Sequence, residues 1–205
     1  MSNYNFSIFI NCPIDPQYKR LFRGIIFAIK YCGFNPRSSE EIDNSLSIRL
    51  NNICNLINQS KYGIHDLSRT ELAKNNFPRF NMPFELGLFI GANYFGNNHN
   101  KEKMCLILVK KEHDYDKYIS DISGQDVKEH NNKVRDIITG IRDWLVSSPE
   151  GENISIPDGY YIYKKYQDFE KDLPEMCKKF NKNHNRLVFK ERVKLTQAWL
   201  EINKT

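Results

Sequence analysis

Six consecutive apolar residues, Met104-Cys-Leu-Ile-Leu-Val109, constrain this chain more than any other feature. An uninterrupted run of that length reads as a strand covered on both faces, the situation of an interior strand in a parallel sheet. Parallel strands cannot be joined by tight turns, so helices are needed between such a strand and its neighbours. The upstream sequence supplies them. Residues 6–10 read as a buried strand, and residues 18–32 follow with Leu21, Phe22, Ile25, Ile26 and Ile29 at helical spacing. Gly33 stands where a helix C-terminal cap is expected, ahead of a short strand over 34–38. A second helix over 46–57 carries Leu46, Ile48, Leu50, Ile53, Leu56 and Ile57, and residues 62–66 form a third strand. After a loop over 67–79, a helix over 81–94 is predicted, with Asn81 as its N-cap and Pro83 in the first turn, where a missing N–H costs little. The apolar run at 104–109 is then the fourth strand of a βαβαβαβ order, which predicts an α/β fold with a doubly wound parallel sheet of four to five strands. Sheets of this kind bind ligands outside the carboxyl ends of their strands.

Further helices are predicted over 134–146, 160–180 and 187–202, the last two set apart by the turn-rich Ser147-Ser-Pro-Glu-Gly-Glu-Asn153. The expected division is an α/β domain over 1–148 and a helical C-terminal extension over 149–205. Tyr160, Tyr161, Tyr163, Tyr166 and Trp199 give the extension aromatic surface to pack on the domain or on a second copy, so a homo-oligomer is expected. No apolar stretch approaches the roughly 20 residues that span a bilayer, and residues 1–6 lack a basic segment followed by an apolar run, so a cytoplasmic protein without membrane contact is expected. Five scattered cysteines without a C-x-x-C pair argue against a disulfide framework and a zinc site, and Cys32, Cys54 and Cys105 are expected in the core. The net charge of +5 comes largely from lysines after residue 160 that alternate with acids, a solvated-face pattern that does not point to nucleic acid. With no P-loop, Gly-rich fingerprint or metal cluster, no prosthetic group or metal is expected.

Three loops at the carboxyl ends of strands carry polar residues beyond what a connection needs. Asn11, Cys12, Pro13 and Asp15 follow the first strand; Asp66, Ser68 and Arg69 end the third. Asn11 and Asp15 can equally form a turn that caps the next helix. After the fourth strand, Asp121 and Gln125 are placed to form a lid or far wall. Arg37, Arg69 and Arg79 have the forked guanidinium geometry that matches diphosphate oxygens. The strongest feature is Glu85, the one acid in the apolar helix Asn81-Met-Pro-Phe-Glu-Leu-Gly-Leu-Phe-Ile-Gly91. A carboxylate there must be paired or used, because burying it alone is costly. The helix dipole and Arg79 or Arg69 are expected to keep it ionised.

Asp66-Leu-Ser, a loop, and then Asn81-x-Pro-Phe-Glu-Leu-Gly87 resemble the superfamily that joins nucleoside 2-deoxyribosyltransferases and bacterial TIR-like domains, over roughly residues 6–146. The resemblance implies a flavodoxin-like sheet, with Glu85 at the catalytic glutamate's position and Asp66 and Ser68 at the polar positions ending the third strand; Asn81, within the motif, is a candidate ligand-binding residue. It also implies active sites completed by a neighbouring subunit. The activity it implies is cleavage or cyclisation of NAD as substrate, in the manner of TIR-like proteins of anti-phage signalling. Two alternatives stand beside it: a nucleoside or nucleotide N-glycosidase or 2-deoxyribosyltransferase, and a non-enzymatic nucleotide sensor or oligomerising adaptor. Breaking an N-glycosidic bond builds positive charge on the ribose, which a fixed carboxylate stabilises or attacks. Nicotinamide leaves from a pyridinium without a proton, whereas a purine usually needs one, a role expected of Asp66.

Overall fold

The computed structural model describes residues 4–69, 80–111, 119–122 and 124–203. Its centre is a five-stranded sheet in the order β2-β1-β3-β4-β5, built from β1 (Ser7–Asn11), β2 (Asn35–Arg37), β3 (Tyr62–Asp66), β4 (Met104–Val109) and β5 (Val127–Glu129). Every pairing is parallel. That order is the flavodoxin-like one, and the fold class expected from the alternating pattern is what the chain adopts. The fifth strand, only three residues long and half exposed, carries no pattern of its own in the sequence.

The helices are α1 (Lys19–Tyr31), α2 (Arg49–Asn58), α3 (Asn81–Phe95), α4 (Val134–Val146), α5 (Gly159–Lys179) and α6 (Phe189–Asn203). Strand pleating divides the core between two layers. Ile8, Ile10, Tyr62, Ile64, Leu106 and Leu108 pack against α1, α4, α5 and α6. Phe9, on the other face, joins Ile53, Leu56, Ile57 and Phe89 of α2 and α3. α1 ends as predicted: Gly33, at φ 87°, lets the Phe34 and Gly33 amides donate to Ile29 O and Lys30 O, closing a Schellman cap.

Several sequence expectations shift. α2 begins at Arg49, so Leu46 and Ile48 precede it and stand exposed instead of joining its apolar face. The N-cap position of α3 falls on Phe80 without a side-chain cap, and Asn81 is exposed in the first turn. Cys54 lies on the outer side of α2 and is exposed, while Cys105 is half-buried; Cys32 is in the core. The aromatic side chains of the C-terminal helices turn inward more than outward. Phe27 of α1 meets Tyr166, Phe169 and Trp199 at ring distances of 5.5–6.0 Å, so α5 and α6 share one continuous core with the sheet. No described helix is long and apolar enough to cross a membrane.

Candidate active site at the carboxyl rim of the sheet

The strand order reverses between β1 and β3, and the crevice outside their carboxyl ends is where an open α/β sheet presents a ligand site. Asn11, the last residue of β1, pairs in register with His65 of β3. Its side-chain amide donates to His65 Nδ1 (3.0 Å) and to the carbonyl of Met82 (2.8 Å), tying the start of α3 to the sheet at the switch point.

Those two bonds position Glu85. The buried residues of α3 are Met82, Glu85, Leu86 and Phe89, spaced i, i+3, i+4, i+7, so Glu85 belongs to the inward stripe although it is charged. It is 7% exposed, and among the described residues no hydrogen bond reaches its carboxylate. Burial raises its pKa, and the positive field of Arg49 on α2 works in the opposite direction. Among the described residues, the cation that bears on Glu85 is therefore Arg49. Arg69, expected in that role, donates instead to Gln17 Oε1 (2.9 Å) and stands 3.7 Å from Asp15. Arg79 lies outside the described residues.

Asp66 is not on Glu85's side of the sheet. Adjacent residues of a strand point to opposite faces, so β3 directs His65 towards α3 and Asp66 towards α1 and α4. Asp66 is fully buried there. It accepts the Tyr18 hydroxyl and the Ser68 amide (2.8 Å), and His130 Nε2 stands 3.1 Å from its Oδ2. The Asn132 amide donates to His130 Nδ1 (3.0 Å), which leaves the His130 proton on Nε2, facing the carboxylate. This corrects the pairing of Asp66 with Glu85 as two substrate-facing acids: Asp66 holds the β3 end to the starts of α1 and α4. Tyr18 and His130 are its structural partners.

His65 is the β3 side chain that does share Glu85's face. It is fully buried between Phe9 and Phe89, whose rings lie 6.1 and 5.0 Å away, and desolvation lowers its pKa to about 3. With Nδ1 accepting from Asn11, the proton sits on Nε2, which has no acceptor among the described residues. The ring folds back over Gly63, where a Cβ would fall 2.6 Å from Nε2.

Cys12 and Pro13 are buried in the turn after β1. The Cys12 thiol is pushed well up, first by burial and then by the fields of Asp66, Glu40, Glu85 and Asp15, so it stays protonated rather than nucleophilic. Asp15 behaves as a cap: its Oδ1 accepts the amides of Gln17 and Tyr18 (both 3.0 Å), the turn that launches α1. Arg37 is held by Glu41 (2.6 Å at Nη2) and Gln59 (3.2 Å), which commits the guanidinium expected to grip a diphosphate. Ser68 is buried, and its hydroxyl has no partner among the described residues. Asp121 and Gln125 are exposed in the β4–β5 connection, one strand beyond β4, and no described contact brings them to Glu85. The rim thus gathers Asn11, His65 and Glu85 with Cys12 beside them. His65 and Arg49 escaped the sequence reading because their roles follow from strand parity and helix packing. No protein-family model matches the sequence, and no curated protein does.

Proposed function

We propose that this chain is an N-glycosidase that cleaves or cyclises NAD, with Glu85 as the carboxylate facing the ribose. The observation that supports it is a carboxylate on the inward stripe of α3, nearly buried and without a hydrogen-bond partner among the described residues. A purely structural buried acid is normally paired, as Asp66 is, because an unpaired one costs several kcal/mol or gives up its charge. An unpaired acid at a ligand rim is suited to a developing cation. The ring C1′ of the ribose acquires positive charge as the bond to nicotinamide breaks, and a carboxylate in a water-poor setting stabilises that charge more strongly than in water.

One carboxylate suffices for NAD, whereas a purine nucleoside asks for a second acid. The nicotinamide leaving group departs neutral and needs no proton. A purine base needs an acid, and the second acid considered for it, Asp66, is engaged by Tyr18, Ser68 and His130 on the far face. Asn11 and His65 are positioning residues in this reading: they tie the β1 and β3 ends to the first turn of α3 and so set where Glu85 stands.

Incubation of the pure protein with NAD, followed by chromatography for nicotinamide, ADP-ribose and cyclic ADP-ribose, tests the reading. Turnover is expected with NAD and at least about a hundredfold less with Glu85→Gln, the loss typical of removing one charged transition-state contact. The acid limb of the rate should fall at a pH above the ordinary glutamate range, since burial raises the Glu85 pKa and the ionised form is the active one. Full activity in Glu85→Gln removes the assignment, and release of a free base from purine nucleosides without NAD turnover transfers it to the nucleoside class.

A further inference from the structure

We propose that the face formed by α1, α4 and α5 carries a binding site for a nucleoside polyphosphate, separate from the Glu85 rim. Glu85 lies on α3, in the opposite layer, so this inference stands whether or not Glu85 acts on NAD.

The site is a groove of about 940 Å³, within the range of small-ligand pockets. α1 contributes Arg20 and Arg23, three residues apart and hence neighbours on one helix face. Lys133 and Arg135 border it at the start of α4. From α5 come Tyr160, Tyr163, Lys164 and Gln167, whose i, i+3, i+4, i+7 spacing places them on a single stripe turned to the groove.

The charges do not balance. Five cationic side chains and one carboxylate, Glu170, border the groove, and Arg135 is also paired with Asp136 beside it (3.3 Å). Glu170 is already shared: Arg192, from beneath, donates to it, and Arg23 stands 3.9 Å away. Arg192 is 4% exposed, and its Nε and Nη1 have no acceptor among the described residues. Lys133 and Lys164 have no carboxylate within ion-pair distance among the described residues. Burial raises the pKa of the Tyr166 hydroxyl, which lines the groove, and the fields of Arg192, Arg23 and Arg20 work against that rise. The cations in this concavity outnumber the carboxylates at hand, and an anion joining them relieves their mutual repulsion.

Two details favour phosphate over a diffuse ion cloud. Arg20 is pinned through Nη2 to the carbonyl of Asn132 (3.0 Å) and Arg23 leans on Glu170, so the forks are held before a ligand arrives and less side-chain freedom is lost on binding. The positive end of α4 opens between Lys133 and Arg135, and no side chain caps it. The aromatic stripe then distinguishes a nucleotide from a bare polyphosphate. Tyr160 is 54% exposed with Lys164 Nζ 5.4 Å from its ring centroid, and half-buried Tyr163 lies one turn on. A ring polarised by a cation on one side offers the other to a base, with phosphates reaching towards Arg20, Arg23 and Lys133.

Calorimetric titration of the full chain with ATP, inorganic tripolyphosphate, adenosine and a five-nucleotide single strand tests the assignment. ATP is expected to bind best, with affinity falling as salt rises, and adenosine to show no heat. The pair Arg20→Glu and Lys133→Glu should weaken ATP at least about tenfold, as loss of charge-assisted phosphate contacts does. Tyr160→Ala should reduce the preference for ATP over tripolyphosphate to within about twofold. Circular dichroism monitors folding, and Lys164→Glu, an exposed substitution, gives an independent reading if the double variant misfolds. Absence of ATP binding, or binding unchanged by the charge reversals, overturns the site. Tripolyphosphate equal to ATP in the wild type overturns the nucleotide assignment, and a strand bound more than about tenfold tighter than ATP overturns it in favour of single-stranded nucleic acid.

Discussion

Acid should unfold this protein partly through one histidine. His65 is fully buried, takes the Asn11 amide on Nδ1, and among the described residues has no hydrogen-bond acceptor at Nε2, so desolvation works against an imidazolium there. Its pKa falls from the ordinary value near 6.5 to about 3. Between those values the unfolded chain binds a proton that the folded chain refuses, and stability therefore falls as pH falls. The contribution is complete above pH 6.5 and erodes downward through the window to about pH 3. One pH unit inside that window is worth about 1.4 kcal/mol, so the descent from pH 6.5 to 5 removes about 2 kcal/mol through His65 alone. Urea unfolding at pH 7.5 and pH 5.0 in wild type and His65→Asn measures it, since asparagine retains an acceptor for Asn11 but no titratable ring. The carboxylates are common to both proteins and cancel in the difference. That includes Glu85, whose raised pKa works with the opposite sign: its burden on the folded state appears as pH rises above the ordinary glutamate value. Wild type should lose about 2 kcal/mol more than His65→Asn over this interval. Equal losses refute the reasoning, as does an NMR titration showing the His65 ring protonated at pH 5 in the folded protein.

Two further substitutions probe the scaffold on either side of β3. Tyr18→Phe leaves Asp66 buried without its hydroxyl donor and should cost about 1–3 kcal/mol in urea unfolding; an unchanged midpoint would show that the donor contributes nothing net. Gly63→Ala places a Cβ 2.6 Å from His65 Nε2 and 2.8 Å from the Phe89 ring, so displacement of the ring that Asn11 anchors should cost about 1–3 kcal/mol. A Gly63→Ala protein as stable as wild type would mean that the α3 face can repack freely.

Periodicity and local chemistry made the architecture legible. The apolar run of β4, the helical spacing of α1 and α4, and the cap at Gly33 are all properties of neighbouring residues, and each element lies where the pattern places it. Glu85 stood out for the same reason, as a lone acid in an apolar helix, and the structure puts it on the inward stripe. β5 is different: three half-exposed residues show no period, and only pairing with β4 makes them a strand.

What the rim contains was decided at the tertiary level. Asp66 and His65 are neighbours in the chain, yet the pleat sends one to Tyr18 and His130 and the other to Asn11 and Phe89. Arg37 looked available until the fold brought Glu41 and Gln59 to it, and in the groove the α1 cations lie more than a hundred residues along the chain from those of α4 and α5. A sequence fixes which residues are apolar and how they recur, and those suffice to choose helices, strands and their order. Which face a polar side chain meets, and which charge arrives opposite it, depends on through-space contacts between distant segments, and these exist only once the layers have packed.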